Sequence, residues 1–247
     1  MFLSVLVPVF NEASTLERAL GGLFRELSVL NSANYQVIVI ESSSSDGSGL
    51  ILTNLQNNYD FQLITELAAM GKGHAVRTGL AVAKGEWILI FDADLEYQPQ
   101  DLHKLIATAK TDSFDFIIGS RRSNTFMVRD LDGKKVRSFL MNFAHVVFTS
   151  MINSVIKTSL KDPFSMYKLF RKSLFAQTEL KSNRFDLDWE LILIAGRLKA
   201  RFVEIEITYK SRGFSEGKKI KFFRDPINWF WAWLKYSFTP IALKRNE

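Results

Sequence analysis

Short apolar runs alternate with stretches of helical spacing along the first half of the chain. The helical stretches lie at residues 13–30, 46–57 and 73–83, and Pro99 opens a further helix. This alternation predicts an α/β fold with a mostly parallel, doubly wound central sheet flanked by helices. The apolar runs that predict its strands are 3–9, 36–41, 61–65, 86–91 and 114–119.

The pattern changes after residue 120. Ser138 to Ile156 contains no Asp, Glu, Lys or Arg and is about as long as a membrane span. Polar residues interrupt this segment, so we favour a buried or interfacial helix, with a membrane span as the alternative. Two further strands are predicted at 164–170 and 201–208, with a helix at 186–199 between them.

The last part of the chain, 221–247, mixes aromatic and cationic residues. Trp229, Trp231 and Trp233 lie close to several phenylalanines, and lysines and arginines are interspersed among them. Amphipathic helices at the headgroup level of a membrane have this composition. The alternative is that the aromatic rings complete the core and the lysines are solvated.

Composition narrows the possible functions. The 247 residues are 47% hydrophobic and 23% charged, as in a globular protein that buries a sizeable core. The absence of cysteine excludes disulfides and favours a reducing compartment, and the three histidines are not spaced as zinc ligands. The net charge of +6 suits an anionic membrane or a phosphorylated substrate. No basic-aromatic motif of a nucleic-acid module is visible, so we expect no nucleic acid partner.

An apolar run of strand length ends in three carboxylates. The five apolar residues of 87–91 predict a strand buried on both faces. Asp92, Asp94 and Glu96 then follow at its carboxyl end, where open α/β sheets place their ligands. Oxygen ligands in this number suit Mg²⁺ or Mn²⁺. The alternative is an acidic turn that caps the next helix.

Three more polar motifs lie at or beyond the carboxyl ends of predicted strands. They are Pro8 to Glu12, Glu41 to Gly47 and Gly71 to Gly79. Because such ends share one edge of a parallel sheet, these motifs are expected to line one crevice. Glycines let backbone N–H groups approach an anion, and the start of a helix at Gly73 favours a phosphate.

The chain resembles the family 2 glycosyltransferases with the GT-A fold. Within them it is similar to the dolichol-phosphate mannose synthases and polyprenyl-phosphate hexosyltransferases, over roughly residues 3–221. The matching stretches are Pro8 to Glu12, Asp46-Gly47, Gly71 to Gly79, Asp92 to Glu96 with Pro99, Ser120-Arg121, Asp162 to Lys168, Asp188 to Glu190, and Arg212 with Glu216 and Lys218.

The resemblance implies a GT-A domain over 1–220, with a nucleotide-binding half at about 1–120 and an acceptor-binding half at about 121–220. It implies a GDP- or UDP-linked sugar donor and a divalent metal, Mg²⁺ or Mn²⁺, held by Asp92, Asp94 and Glu96. The residues placed at the nucleotide-sugar are Pro8, Phe10, Glu12, Glu41, Ser42, Gly71, Lys72, Gly73, Arg77, Asp92 and Ala93.

The implied acceptor is a polyprenyl phosphate, either dolichyl or undecaprenyl. Its phosphate is mostly ionised at neutral pH, because the second pKa of a phosphomonoester is near 6. Such an acceptor needs cationic positioning and no strong base. A hydroxyl acceptor would need a general base, such as Asp188 or Glu190. The catalytic candidates are Asp94, Asp188, Glu190 and Arg212, and the candidates for the acceptor phosphate are Arg121, Arg137 and Lys218.

Direct displacement would invert the anomeric centre, since no residue calls for a covalent intermediate. We expect a cytoplasmic enzyme at the inner face of a membrane, with or without an integral-membrane partner. The alternatives are a family 2 enzyme with a saccharide or other hydroxyl acceptor, and a non-catalytic membrane-associated module that binds nucleotide-sugars. A nucleotidyltransferase would need a glycine-rich loop directly after the first strand, where this chain has Pro8 to Glu12.

The chain departs from the pattern of the family in three places. Glu41-Ser42-Ser43 stands where the family has two aspartates and a glycine, which leaves the nucleotide base open. Met166 replaces a glycine, and Ser215 and Gly217 are exchanged. These last two departures concern the acceptor side.

Overall fold

A computed structural model describes residues 1–30, 34–121, 135–184, 186–211 and 225–244, with only the helical backbone at 135–137 and 225–227. Its centre is a seven-stranded sheet in the order β3-β2-β1-β4-β6-β5-β7. The strands are β1 (Leu3–Val9), β2 (Tyr35–Glu41), β3 (Gln62–Thr65), β4 (Trp87–Ile90), β5 (Phe116–Ser120), β6 (Lys168–Arg171) and β7 (Phe202–Glu206).

All the strand pairs are parallel except those of β6, which runs antiparallel to both β4 and β5. The mostly parallel α/β sheet predicted from the alternation is therefore confirmed. Because β6 is reversed, its first residue, Lys168, pairs with Ile90 at the carboxyl end of β4. A lysine from the second half of the chain thereby reaches the edge of the sheet at which Asp92 and Asp94 follow β4.

Helices cover both faces of the sheet. The helices are α1 (Leu16–Leu27), α2 (Ser48–Leu55), α3 (Lys72–Val82), α4 (Leu102–Ala109), α5 (Lys135–Ile156), α6 (Leu187–Arg197) and α7 (Asp225–Phe238). Side chains of α1, α2 and α4 pack on one face of the sheet, and those of α3, α5, α6 and α7 on the other. Successive residues of β4 alternate between the two cores, as strand geometry requires: Leu89 faces one core, and Ile88 and Ile90 face the other.

The strand predicted at 164–170 is shorter than expected, since β6 begins only at Lys168. Asp162 to Ser165 form a turn that contains Pro163, in which the Ser165 amide donates to the Asp162 carbonyl. A proline has no N–H to donate to a sheet, so the chain enters the sheet only after this turn.

Among the described helices, one stretch, Ser138–Ile156 in α5, is long and apolar enough to cross a membrane, and a third of it is buried within the protein. Ile152 and Ile156 pack into the core beside α6. The opposite side of α5 exposes large apolar side chains, namely Phe139, Leu140, Phe143 and Val147.

Candidate functional site

A cavity of about 980 Å³ opens at the carboxyl ends of β1 and β4. Most of the predicted site residues share it, although they come from distant parts of the sequence. The strand ends bring them together because the parallel strands β1 and β4 are neighbours in the sheet. The predicted residues that line the cavity are Pro8, Phe10, Glu12, Ser42, Gly71, Lys72, Asp92, Ala93, Asp94, Glu96, Arg121 and Asp188.

Lys72 and Asp92 form an ion pair in this cavity. Lys72 is the first residue of α3, and its Nζ lies 2.5 and 2.7 Å from the two carboxylate oxygens of Asp92. Both side chains are largely buried. The lysine predicted to contact the nucleotide-sugar thus lies beside a predicted metal ligand, where it can meet a phosphate that a metal also contacts.

Asp94 and Glu96 are held by different neighbours. Oδ1 of Asp94 accepts a hydrogen bond of 3.0 Å from the Glu96 amide, and the intervening Leu95 has a left-handed φ of 62°. The Tyr209 hydroxyl donates to Oε2 of Glu96 at 2.8 Å. The part of the chain that the structure describes contains no group of three or more His, Asp or Glu side chains able to share a metal ion.

The three carboxylates therefore line one cavity without forming a three-ligand group. Mg²⁺ is commonly held by one or two carboxylates, with waters and substrate phosphates completing its shell. Asp92 and Asp94 fit this requirement, whereas Glu96 is held by Tyr209. The metal role of these side chains stays a prediction.

Glu41 holds a turn and does not face the cavity. Its side chain is buried, and its Oε1 accepts a hydrogen bond of 2.6 Å from the Ser44 amide. Ser42 does line the cavity, and its hydroxyl donates to Glu66 at 2.7 Å. The other oxygen of Glu66 lies 2.6 Å from His74 Nδ1. Glu66 directly follows β3, so the rule applied to the other strand ends would have found this residue, which the sequence reasoning missed.

Arg121 is held by a buried carboxylate. Its Nε and Nη2 donate to the two oxygens of Asp162 at 2.8 and 2.7 Å, and its own amide donates at 2.9 Å. Asp162 is fully buried, and the Arg121 guanidinium holds its pKa well below the usual range. Arg121 lies 5.1 Å from the centre of the Tyr209 ring. The pair orients a permanent cation toward the cavity.

This ion pair predicts that the free energy of unfolding falls at acid pH. The folded-state pKa of Asp162 is depressed, so its contribution is complete above its unfolded pKa of about 3.9 and declines as the pH falls below that value. We expect urea unfolding to show a falling free energy of unfolding below about pH 4. Asp162→Asn should make this decline shallower; an unchanged slope would contradict the assignment.

Lys168 and Asp188 form a second buried pair. Lys168 Nζ lies 2.5 Å from Oδ1 of Asp188, and it also donates to the Ser165 carbonyl. Burial lowers the pKa of Lys168 and raises that of Asp188. Lys168 belongs to a stretch that carries the family resemblance, but its contact with a candidate base was not predicted.

Several predicted site residues lie away from the cavity lining that the structure describes, namely Glu41, Gly73, Arg77 and Glu190. Glu190 is buried and accepts hydrogen bonds from the amides of Lys181 and Ser182. Arg77 Nε donates to the Ser182 carbonyl at 3.2 Å. The geometry therefore gives Arg77 and Glu190 the same neighbour, the loop before α6. Arg212, Lys218 and the side chain of Arg137 lie outside the described residues.

Close packing requires glycine at both ends of the Gly-Lys-Gly segment. Gly71 has a φ of 102°, and a Cβ there would lie 2.5 Å from the Asn183 carbonyl oxygen. A Cβ on Gly73 would lie 2.6 Å from the Ser182 carbonyl oxygen. The loop before α6 thus approaches α3 at a distance that only glycine allows.

The other end of the cavity is rich in aromatic side chains, although Asn228 and Lys235 also line it. Its wall comes from α5, α6 and α7, and aromatic rings contact one another across these helices. Phe148 lies edge-on to Trp189 and to Trp229, with ring centroids 5.3 and 6.0 Å apart. Phe164 lies 4.8 Å from Trp189. One continuous cavity therefore has carboxylates and cations at one end and an aromatic wall at the other.

Known proteins are similar to this chain in sequence. Dolichol-phosphate mannosyltransferase of Pyrococcus furiosus is 29% identical over 224 residues, which are 88% of this chain and 59% of that protein. Undecaprenyl-phosphate 4-deoxy-4-formamido-L-arabinose transferase of Proteus mirabilis is 26% identical over 218 residues, 87% of this chain and 62% of that protein. The chain thus spans about three fifths of the length of these relatives.

A solved structure has the same fold. Glucosyl-3-phosphoglycerate synthase from Mycobacterium tuberculosis, in complex with Mn²⁺, UDP and phosphoglyceric acid, superposes with a TM-score of 0.69 at 14% identity. The match covers 97% of this chain and 79% of that one, and it confirms the predicted GT-A fold. Residues 4–179, most of the chain, match the family described as Glycosyl transferase family 2. This chain therefore belongs to glycosyl transferase family 2.

Proposed function

We propose that the protein is a metal-dependent, inverting glycosyltransferase that moves a hexose from a nucleoside-diphosphate sugar to a polyprenyl phosphate. The observation that carries the proposal is the single cavity that joins Asp92 and Asp94 to the aromatic wall of α5–α7. The charged end suits a diphosphate and the apolar end suits a prenyl chain. The names of the relatives from Pyrococcus furiosus and Proteus mirabilis contain dolichol phosphate and undecaprenyl phosphate, which supports this choice of acceptor.

At the donor end, Asp92 and Asp94 would hold Mg²⁺ or Mn²⁺ together with the diphosphate of a GDP- or UDP-linked sugar. A bound divalent ion would stabilise the negative charge on the departing nucleoside diphosphate. Lys72, already 2.5 Å from Asp92, would donate to the same phosphates. Pro8, Phe10, Glu12 and Ser42 line the cavity where the nucleoside would lie. The solved neighbour that holds Mn²⁺ and UDP supports this cofactor choice.

At the acceptor end, the phosphate oxygen is the nucleophile and is ionised without help from a base. Arg121 orients this phosphate, because Asp162 engages only its Nε and Nη2 and leaves other N–H groups for a ligand. The prenyl chain lies along Phe148, Trp189 and Trp229.

A second candidate function keeps the donor and uses a hydroxyl acceptor. It is favoured by Asp188, a carboxylate that lines the cavity and whose pKa is raised by burial. Against it stands the contact with Lys168, which occupies Oδ1 of Asp188. Glu190 is a poorer base for this role, since the loop before α6 engages both of its oxygens.

The decisive experiment is a transfer assay with a panel of UDP- and GDP-hexoses, Mn²⁺ or Mg²⁺, and farnesyl phosphate beside farnesol and a free saccharide. The proposal predicts a metal-dependent product with farnesyl phosphate and none with farnesol. Transfer to the saccharide alone would replace it by the second candidate. Nuclear magnetic resonance of the product would establish whether the anomeric centre is inverted.

The proposal places the protein at the cytoplasmic face of a membrane, with α5 and α7 toward the lipid. Phe139 and Phe143 on α5 are each 53% exposed, and Trp231 on α7 is 63% exposed. The two helices contact each other, because Trp233 Nε1 donates to the Met151 carbonyl. Aromatic side chains with a basic surface suit the headgroup region of an anionic bilayer. An integral-membrane partner is compatible with this arrangement.

If α5 contacts the membrane, removing two of its exposed phenylalanines should weaken binding to lipid vesicles. Phe139→Ser/Phe143→Ser should weaken binding to vesicles of phosphatidylcholine and phosphatidylglycerol by about tenfold or more, since burying each phenylalanine fully contributes about 1.5–3 kcal/mol. Val29→Ser/Leu50→Ser is the matched control, because both of its side chains are exposed on other helices or turns. Vesicle co-sedimentation measures both. Equal loss in the two variants would contradict a specific membrane face.

A further inference from the structure

The loop before α6 carries a cation into the cavity. Arg184 lines the cavity together with Lys72 and Asp92. Its Cγ lies 3.0 Å from the position that a Cβ on Gly71 would occupy. Arg184 is therefore beside the start of α3, at the charged end of the cavity.

This loop is fixed from two sides. On one side, Oε1 of Glu190 accepts from the Lys181 amide at 2.7 Å, and Oε2 accepts from the amide and the hydroxyl of Ser182 at 2.9 and 2.6 Å. On the other side, the His74 amide donates to the Asn183 carbonyl at 3.2 Å, and Arg77 donates to Ser182 and Asn183. These bonds fix the backbone that precedes Arg184 against α3.

The guanidinium of Arg184 has no acceptor within the described ranges of the chain. Asp186 lies two residues further along the chain. Its Oδ1 accepts a hydrogen bond from the Arg184 amide and its Oδ2 accepts one from the Tyr236 hydroxyl, and it forms no ion pair with the Arg184 guanidinium. A planar guanidinium fork matches the geometry of two phosphate oxygens. A cationic side chain that lines the cavity, and whose preceding backbone is held by hydrogen bonds from both sides, is suited to bind an anion.

We propose that Arg184 binds a phosphate group of the substrate, and that Arg77 and Glu190 are positioning residues that hold its loop. This inference rests on the proposed function, which supplies two phosphate sources, the donor diphosphate and the acceptor monoester. The chemistry recognised is the same for both. The assignment also gives Arg77 and Glu190 a role although neither lines the cavity.

Equilibrium binding measurements can distinguish the donor diphosphate from the acceptor monoester as the phosphate that Arg184 binds. The donor arm titrates the protein with UDP and with GDP, each with MnCl₂, and the acceptor arm compares farnesyl phosphate with farnesol. Arg184→Gln should weaken one phosphate probe by about 10- to 100-fold and leave farnesol unchanged. Lys181→Gln is the matched control: it removes the same charge from the same loop, but Lys181 is exposed and lies 3.4 Å from Glu179. The control should stay within about twofold of the parent protein.

A double-variant cycle tests the positioning role. Arg77→Gln should weaken the same probe several-fold, and Arg77→Gln/Arg184→Gln should bind no more weakly than Arg184→Gln alone. A merely structural role for Arg77 would give additive losses and would lower the affinity for farnesol as well. Arg77→Lys should recover part of the loss if it restores the bond to the loop.

Each outcome has one meaning. If Arg184→Gln and the control Lys181→Gln bind both phosphate probes with equal affinity, the inference is overturned. This holds even if the parent protein transfers hexose to farnesyl phosphate. Nucleotide binding that weakens in Arg184→Gln supports the inference at the donor, even if no lipid product forms and the acceptor half of the proposed function fails. Loss confined to farnesyl phosphate assigns Arg184 to the acceptor.

Discussion

Asp94→Asn is expected to lower kcat/KM for hexose transfer by about 10³-fold. A divalent ion stabilises the charge of the transition state by several kcal/mol, and each 1.36 kcal/mol corresponds to a factor of about ten in rate. Asparagine preserves the shape of the side chain, and its carbonyl oxygen can still accept the bond of 3.0 Å from the Glu96 amide. The loss should therefore come from the missing charge, with little change in the melting temperature.

The matched control for this variant is Glu96→Gln. Glu96 lines the same cavity, but its Oε2 accepts from the Tyr209 hydroxyl, and a glutamine oxygen could do the same. We expect a loss of about tenfold or less, and an unchanged Mn²⁺ concentration for half-maximal rate. Initial-rate kinetics over a Mn²⁺ series measures both variants. Equal losses would assign Glu96 to the metal as firmly as Asp94, and activity of Asp94→Asn within tenfold of the parent protein would refute the metal role.

The strands at the centre of the sheet could be predicted because their sequences are locally consistent. The apolar run before Asp92 is buried on both faces, as a covered parallel strand requires, and β4 occupies the position expected from it. The position and direction of β6 could not be read from its own residues. Only the pairing with β4 and β5 makes it antiparallel, and this reversal brings Lys168 to the site.

Side-chain direction explains why some predicted site residues do not line the cavity. Asp188 and Glu190 both lie in the first turn of α6, and residues two apart on a helix point about 200° away from each other. Only one of these two alternative bases can therefore face the cavity, and it is Asp188. Arg77 is different: its contacts with Ser182 join residues 105 positions apart, which no local pattern encodes.

The same limit applies to the charge pairs. Arg121 was predicted as a candidate contact for the acceptor phosphate, but its partner Asp162 lies 41 residues away in a turn. Lys72 and Asp92 were both predicted at the site, and their contact follows from the packing of α3 against β1, the neighbour of β4 in the sheet. The charges predicted at strand ends share one cavity, and packing determines which of them neutralise one another.

Asp188→Asn is expected to lower the free energy of unfolding by about 3–5 kcal/mol, the usual cost of removing one member of a buried ion pair. Lys168 is fully buried, and a neutral amide in place of the Asp188 carboxylate would leave its ammonium without a counter-charge. Burial already lowers the pKa of Lys168. Because the unfolded lysine then binds more protons than the folded one, the loss should shrink as the pH rises toward the ordinary lysine pKa of about 10.4.

Urea unfolding monitored by tryptophan fluorescence tests this expectation. Lys168→Met alone should also be costly, whereas Asp188→Asn/Lys168→Met should cost less than the sum of the two single changes, since no charge stays buried alone. Glu179→Gln, at the exposed pair with Lys181, should be near neutral. Additive losses, or a loss in Asp188→Asn that does not vary with pH, would show that the pair is not coupled. In the double variant, transfer to a phosphate acceptor should persist, because that nucleophile needs no base, whereas transfer to a hydroxyl acceptor that relies on Asp188 should be abolished.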